Sequence, residues 1–275
     1  MTSPYSLAAE KLRVIVPPDE NPQLEHIQYF YKLLDLVLAK TVATDGDYEI
    51  IIYPEIINYE RYLQGVKTGL MDVIWTNTDK IREVELLPIH IPILKDLNSY
   101  RVFFIRKEDQ AIFDKIKTLN DLRLLTCGQG SNWPDTTILR NNDFQVVTAV
   151  RQDSLLKMLA SKRFDFYPRG LYEIWREEAA NTDKNIVVEK SLMIYYNSPI
   201  YFFVTKKNKV LADRIERGLK IAISDGSFDQ LFFSVANFKR GYEEQVNGNR
   251  KLFKLDAILD RPKSQKVEFN ADQKH

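Results

Sequence analysis

An α/β protein built from two units joined by a pair of strands is what this chain of 275 residues predicts. Three observations carry that prediction. Short β-branched runs alternate with helical patterns from Lys11 to Thr76, and strand, helix, strand in succession implies a parallel sheet with right-handed crossovers. The same alternation restarts at Leu124 and runs to Ala180, long enough for a unit of its own. Two aromatic strands of matching character, Tyr100-Arg-Val-Phe-Phe-Ile-Arg-Lys107 and Ser198-Pro-Ile-Tyr-Phe-Phe-Val-Thr-Lys-Lys207, bracket the second alternation. They mark where the chain leaves and re-enters the first unit.

Taken in order, Lys11 to Pro17 reads as a strand that stops at Pro17-Pro18, followed by a helix with Asn21 as N-cap and Pro22 in its first turn. Leu24, Ile27, Tyr31, Leu34 and Leu38 recur at three- and four-residue spacing, so that helix has one buried face through Lys40. A strand at Tyr48–Pro54, a helix from Asn58 to Thr68 stopped by Gly69, and a strand at Met71–Thr76 complete the first alternation. In parallel sheets ligands sit beyond the carboxyl ends of the strands, which points to Pro17 to Glu20 and to Trp75-Thr-Asn-Thr78.

The second alternation has strands at Leu124–Cys127, Phe144–Val150 and Phe164–Tyr167, with helices from about Asp135, over Asp153–Ser161 and over Leu171–Ala180. Between its first strand and helix lies Gly128-Gln-Gly-Ser-Asn-Trp-Pro134, a glycine turn into a helix start. Unpaired N–H groups and the helix dipole suit such a start to a ligand's oxygen atoms, although, taken alone, an ordinary connection capped by Ser131 or Asn132 is the commoner explanation of these residues. The glycine spacing is neither a phosphate loop nor GxGxxG. Leu211, Ile215 and Leu219 mark a later helix stopped by Gly226, Ser227 caps a short helix over Phe228–Val235, and the rest through Asp260 returns to the first unit. The expected division is 1–104 with 203–260 as lobe 1, 105–202 as lobe 2, and 261–275 as a loose polar tail.

Composition excludes several function classes. Lys plus Arg is 39 against 38 for Asp plus Glu, a formal charge of +1 that provides no global field for nucleic acid or an anionic membrane. No run approaches the roughly 20 apolar residues of a membrane span, and the first ten residues have no basic and apolar leader pattern. An exported form would therefore have lost its signal peptide. Cys127 is the sole cysteine and sits in an apolar run, which favours a buried, inert thiol. His26, His90 and His275 have no partners at ligand spacing, so neither a metal nor a cofactor is expected. No nucleophile elbow or paired-carboxylate spacing singles out catalytic residues.

Four stretches, in order, resemble the type II extracytoplasmic solute-binding proteins of ABC transporters, the broad family of the polar amino-acid receptors. They are Gly69-Leu-Met-Asp-Val-Ile-Trp-Thr with Arg82 and Pro88-Ile-His-Ile-Pro; Thr118-Leu-Asn-Asp-Leu before Gly128-Gln-Gly; Leu155-Leu-Lys-Met-Leu-Ala-Ser-Lys-Arg-Phe-Asp-Phe; and Asp225-Gly-Ser-Phe-Asp-Gln-Leu-Phe. The resemblance implies the two-lobe periplasmic-binding-protein type II fold, two hinge strands, a ligand cleft between the lobes and hinge closure on the ligand. It places first-lobe contacts at Trp75, Thr76, Asn77, Thr78 and Arg82, the arginine gripping a carboxylate. The usual Thr-Pro-Glu-Arg run is absent, so Arg82 is equally a surface arginine beside Glu83 and Glu85.

In the second lobe the resemblance implies contacts from Gly130, Ser131, Asn132 and Trp133. The family's aspartate for a ligand amino group is missing, and Tyr167-Pro-Arg169 stands in its neighbourhood. A cation there argues for an anionic or oxygen-rich solute. Asp135 pulls the other way, or serves as a first-turn charge. Trp75, Trp133 and Tyr167 can stack on a flat or sugar-like ligand, or on a cation, and Trp175 is expected in the core. The expected function is capture of a small polar solute by a monomeric periplasmic protein and its delivery to the membrane permease of an ABC transporter. A sensing domain of a signalling system and a dehydratase-like enzyme on the same scaffold are the alternatives.

Overall fold

The computed structural model describes residues 11–19, 24–57, 59–131 and 133–256. Residues 1–10, Asn21, Pro22, Asn58, Asn132 and the expected tail 261–275 lie outside the described residues. The first part of the chain is β1 (Leu12–Val16), α1 (Glu25–Ala39), α2 (Val42–Asp45), β2 (Tyr48–Ile52), α3 (Tyr59–Thr68), β3 (Val73–Asn77), α4 (Lys80–Glu85) and β4 (Leu86–Ile89). The middle holds β5 (Tyr100–Arg106), α5 (Gln110–Phe113), α6 (Leu119–Arg123), β6 (Thr126–Gly130), α7 (Pro134–Asn141), β7 (Gln145–Ala149), α8 (Gln152–Ala160), β8 (Phe166–Gly170), α9 (Ile174–Ala180), β9 (Ile186–Val188) and β10 (Leu192–Tyr195). The last part is β11 (Ile200–Thr205), α10 (Lys209–Ser224), α11 (Ser227–Ser234), α12 (Ala236–Asn247) and β12 (Lys251–Lys254).

These strands sort into two lobes. In the first, β1 runs parallel to β2, and β11 lies antiparallel between β3 and β4. Asp72 ties the two groups: its amide donates to Ile15 O at 2.8 Å and its carboxylate accepts the Ile15 amide at 2.7 Å. The apolar stripe of α1 buries Tyr29, Phe30, Leu33, Leu34, Val37 and Leu38. Helix α10 packs so closely on it that a Cβ at Gly218 would stand 2.0 Å from the Val37 carbonyl oxygen. The second lobe is a larger sheet in the order β12, β10, β5, β8, β6, β7, with β9 beside the second half of β5. Its aromatic centre is Phe103, Phe113 and Phe166, with ring centroids 4.9 to 6.5 Å apart.

Strand pairing differs from the expected division at both lobe borders. β5 pairs with β8 from Arg101 to Ile105 and belongs wholly to the second sheet, while β11 pairs wholly with the first, so neither strand is split at 104/105 or 202/203. A ladder stays continuous along a strand because each buried N–H and C=O needs its partner. The chain crosses instead just before β5 and just before β11. There Asn98 Nδ2 donates to Ser198 O at 2.6 Å, the Ser198 amide to Ser99 Oγ at 3.0 Å, and the Tyr196 amide to Ser99 O at 3.1 Å. A further difference is β12, within the stretch 203–260 expected in lobe 1, which pairs in parallel with β10 of the second sheet.

Local structure departs from expectation in places. Gly128 and Gly130 are strand residues of β6, not a turn, and each lies under an aromatic ring: a Cβ would meet Phe164 at 2.3 Å and Trp133 at 2.4 Å. The third strand of lobe 2 starts at Phe166, not Phe164. Gly226, at φ 80°, follows α10 as expected and is also the N-cap of α11, the place expected of Ser227. Among the described residues no helix is long and apolar enough to cross a membrane.

Candidate functional site

The carboxyl end of β3, the face of α1, the start of α7 and the end of β8 converge on a cavity of about 350 Å³ between the two sheets. Trp75, Thr76 and Asn77 line it from β3, and His26, Ile27 and Phe30 from α1. Trp133, Pro134 and Asp135 open α7 on the opposite wall, beside Arg169 at the end of β8. Gln152, Tyr172 and Glu173 complete that side, and Asn98 and Arg101 rise from the crossing between lobes.

Of the residues predicted for the site, Trp75, Thr76, Asn77, Trp133 and Arg169 share this cavity. The Trp75 ring is set by a stack on Phe30, 5.5 Å away at 10°, and by the edge of Tyr31 at 4.8 Å. Thr78 faces away and donates to Glu83 at 2.5 Å. Arg82 is folded back on its own helix, donating to Asn77 O at 3.1 Å and pairing with the N-cap Asp79, and it lines a separate depression with Glu60 and Glu85. Arg82 follows the N-cap Asp79 by three residues, and one helical turn brings such a side chain back onto its own cap. Gly130 lies beneath the Trp133 ring, and the Ser131 amide extends the strand ladder to Ala149 O at 2.9 Å. Tyr167 stacks behind Trp133 with centroids 6.5 Å apart and is only 1 % exposed, so it supports the wall. Asn132 lies outside the described residues.

Electrostatically the cavity is a set of matched charges. Arg169 Nη2 meets Glu173 at 2.8 Å, Arg169 Nε and Nη2 grip Glu177 at 2.8 and 2.6 Å, and the guanidinium lies beside the Trp133 and Tyr167 rings, 4.8 and 5.2 Å from their centroids. The cation expected to be free for a ligand is thus held by two carboxylates. Burial pushes the Glu173 carboxyl above the usual range, against the pull of Arg169. Arg101, 3 % exposed, donates from Nε to Asp135 at 2.8 Å and from Nη1 to Asn98 O, and sits 4.9 Å from the Tyr196 ring. Burial works against ionised Asp135, but Arg101 and the Tyr196 hydroxyl outweigh it and hold the carboxyl below its ordinary value. Asp135 is therefore a partner of Arg101 as well as a first-turn charge.

His26 is different. Its Nδ1 is buried with no partner among the described residues, and burial, aided by Arg176, pushes the imidazole down to about 4. A neutral imidazole in the wall offers one donor and one acceptor. Two indoles, two ion-paired arginines and this imidazole suit recognition of a small polar molecule with a flat portion. Among the described residues no cluster of three or more His, Cys, Asp or Glu could hold a metal ion. Cys127 is buried, its thiol pushed up to about 12 by desolvation, so it is no nucleophile at neutral pH.

Arg101, Glu173, Gln152, Tyr172 and Asn98 were not anticipated. Two signals for them were present. Arg101 is a charge at the start of a strand whose next four residues are apolar, and Glu173 follows Arg169 at the four-residue spacing of an ion pair.

No family model and no curated protein matches the chain. Solved structures do match, at low identity. A binding component of an ABC transporter from Wolinella succinogenes, complexed with lysine, has TM-score 0.58 and 15% identity, covering 82% of this chain and 95% of that one. An ancestral amino-acid-binding protein described as a precursor of cyclohexadienyl dehydratase has TM-score 0.57 and 15% identity over 82% and 94%. A histidine kinase sensor domain with similarity to periplasmic binding proteins has TM-score 0.56 and 15% identity over 83% and 96%. The chain accordingly has the two-lobed α/β fold of the type II periplasmic binding proteins, with a cavity between its lobes.

Proposed function

We propose that the protein reversibly captures a small, oxygen-rich polar solute between its lobes and does not transform it. The observation that carries this is the cavity walled by both sheets, with hydrogen-bonding groups and an indole on each side. A solute touching both walls stabilises the closed form by its differential contacts, with the cross-linked Asn98, Ser99 and Ser198 as the hinge. On this proposal lobe 1 is 11–97 with 200–235, and lobe 2 is 100–195 with 251–254. Of the two solute characters the sequence suggests, oxygen-rich is better supported than strongly anionic. Arg101 already faces Asp135, and Arg169 faces Glu173 and Glu177, so the wall has little uncompensated positive charge.

Delivery to the permease of an ABC transporter, action outside the cytoplasm and a monomeric state belong to the same proposal. Their support is the fold shared with a transporter binding component. A sensing role is the second reading, favoured by the sensor domain of the same fold. The dehydratase-like reading has the ancestral precursor as its support. A thermal-shift screen of sugars, sugar acids, polyols and amino acids tests the proposal, because a ligand of the folded state raises Tm by mass action. An oxygen-rich solute that raises Tm of the native protein, fails to do so in Trp75→Ala, and is recovered unchanged would support it. No shift from any of these classes, or recovery of a product, would overturn it.

A further inference from the structure

Beside the cleft, lobe 2 has a second concavity of about 800 Å³, more than twice the cleft's 350 Å³. One face of α8, with Leu156, Lys157 and Ala160, makes one wall. Arg176 and Ala180 of α9 make the other, and Tyr167 of β8 is in the floor. Tyr167 is 1 % exposed, yet its hydroxyl has no hydrogen-bond partner among the described residues. Buried hydroxyls are normally satisfied, and one left over in the floor of a groove is a donor waiting for an acceptor.

The charges around the groove are unequally matched. Asp153 is held by Arg151 at 2.6 and 3.1 Å, Glu177 by Arg169 at 2.6 and 2.8 Å, and Asp183 accepts the Asn185 amide at 2.9 Å. Lys157 and Arg176, on opposite walls, have no ion pair among the described residues, and Arg176 Nε is buried without an acceptor. The acidic groups have close partners, whereas Lys157 acts on Asp153 only at longer range and neither cation is in an ion pair among the described residues.

We propose that this groove is a second ligand site, for a small organic anion with an apolar body. Its carboxylate or sulfonate is met by Lys157 and Arg176, an oxygen accepts from the Tyr167 hydroxyl, and its hydrocarbon part covers Leu156, Ala160 and Ala180. The groove also communicates with the cleft. Gln152 lines both, and its Nε2 donates at 3.0 Å to Glu177, the carboxylate that holds Arg169 in the cleft wall.

Fluorescence titration of the full chain with anilinonaphthalene sulfonate, an aromatic body carrying one anion, tests the site. The expected result is saturable one-to-one binding, weakened about tenfold or more by Ala160→Trp and by Arg176→Glu, competed by octanoate and not by octylamine. Trp75→Ala, in the cleft, leaves it unchanged. Ala160 and Lys157 are exposed, so Lys157→Glu gives the same readout should Ala160→Trp fold poorly. Affinity unaffected by every groove variant, competition by octylamine as strong as by octanoate, or loss of binding in Trp75→Ala would overturn the proposal. The last result would place the dye in the cleft, and none of them bears on whether the cleft takes a polar solute.

Discussion

Arg169→Met removes a guanidinium from between Glu173 and Glu177 while keeping an unbranched side chain in the slot beside Trp133. In the native protein the three side chains are 8, 15 and 10 % exposed, and the nitrogen to oxygen distances are 2.6 to 2.8 Å. Deleting one partner of a buried ion pair typically costs about 3 to 5 kcal/mol, because the remaining charge is left without compensation. Here two carboxylates are left together, and each opposes ionisation of the other. Glu173, already pushed above the ordinary carboxyl range by burial, is pushed further once Arg169 is gone, so the folded variant binds a proton that the unfolded chain does not. A group raised in this way stabilises the fold at low pH and loses that contribution as pH rises. Urea denaturation of both proteins near pH 8 and near pH 5.5 should show a gap of about 3 to 5 kcal/mol at the higher pH that narrows at the lower one. A gap that is independent of pH, or below about 1 kcal/mol as for a surface ion pair, would refute the buried triad.

Three further outcomes are expected. Gly130→Ala places a Cβ 2.4 Å from the Trp133 ring, where carbon contacts settle near 3.5 Å, so the indole must shift by about 1 Å from its place beside Arg169. Solute affinity by calorimetry should fall about tenfold while the protein stays folded, and an unchanged Kd would separate Trp133 from the site. His26 has a folded pKa near 4 against 6.5 ordinarily, so the unfolded chain takes its proton first and stability drops as pH falls through that window. His26→Gln should flatten this part of the stability profile, and an identical slope would show that His26 is not desolvated. Gly218→Ala brings a methyl 2.0 Å from the Val37 carbonyl oxygen and should destabilise by about 1 to 3 kcal/mol through separation of α1 from α10. A melting temperature equal to wild type would contradict that packing.

Much of the fold was legible because its signals are local. The alternating apolar runs gave β1, β2, β3 and β7, placed β6 two residues early, and the helical spacing from Leu24 to Leu38 gave α1. The lobe borders were less legible, since aromatic strands such as Tyr100–Arg106 and Ile200–Thr205 look alike whichever sheet they join. Pairing is a long-range property, and so is the placement of Lys251–Lys254 beside β10. The site divided in the same way. Trp75, Asn77, Trp133 and Arg169 stand at strand ends or a helix start, which sequence pattern can locate. Thr78 and Tyr167 are equally close in sequence but are turned away by Glu83 and the Trp133 stack, contacts that no spacing announces, whereas Arg82 follows its partner Asp79 at a helical spacing. The charge balance was the largest surprise, because Glu177 and Asp135 neutralise arginines from other elements.

The most direct test of solute capture between the lobes is a crystal structure with the solute that gives the largest thermal shift. The solute should contact Trp75 or Asn77 on one wall and Trp133 or Arg169 on the other, with the lobes drawn together about Asn98 and Ser198. A solute held by one lobe alone, or lying outside the cavity between the sheets, would contradict it.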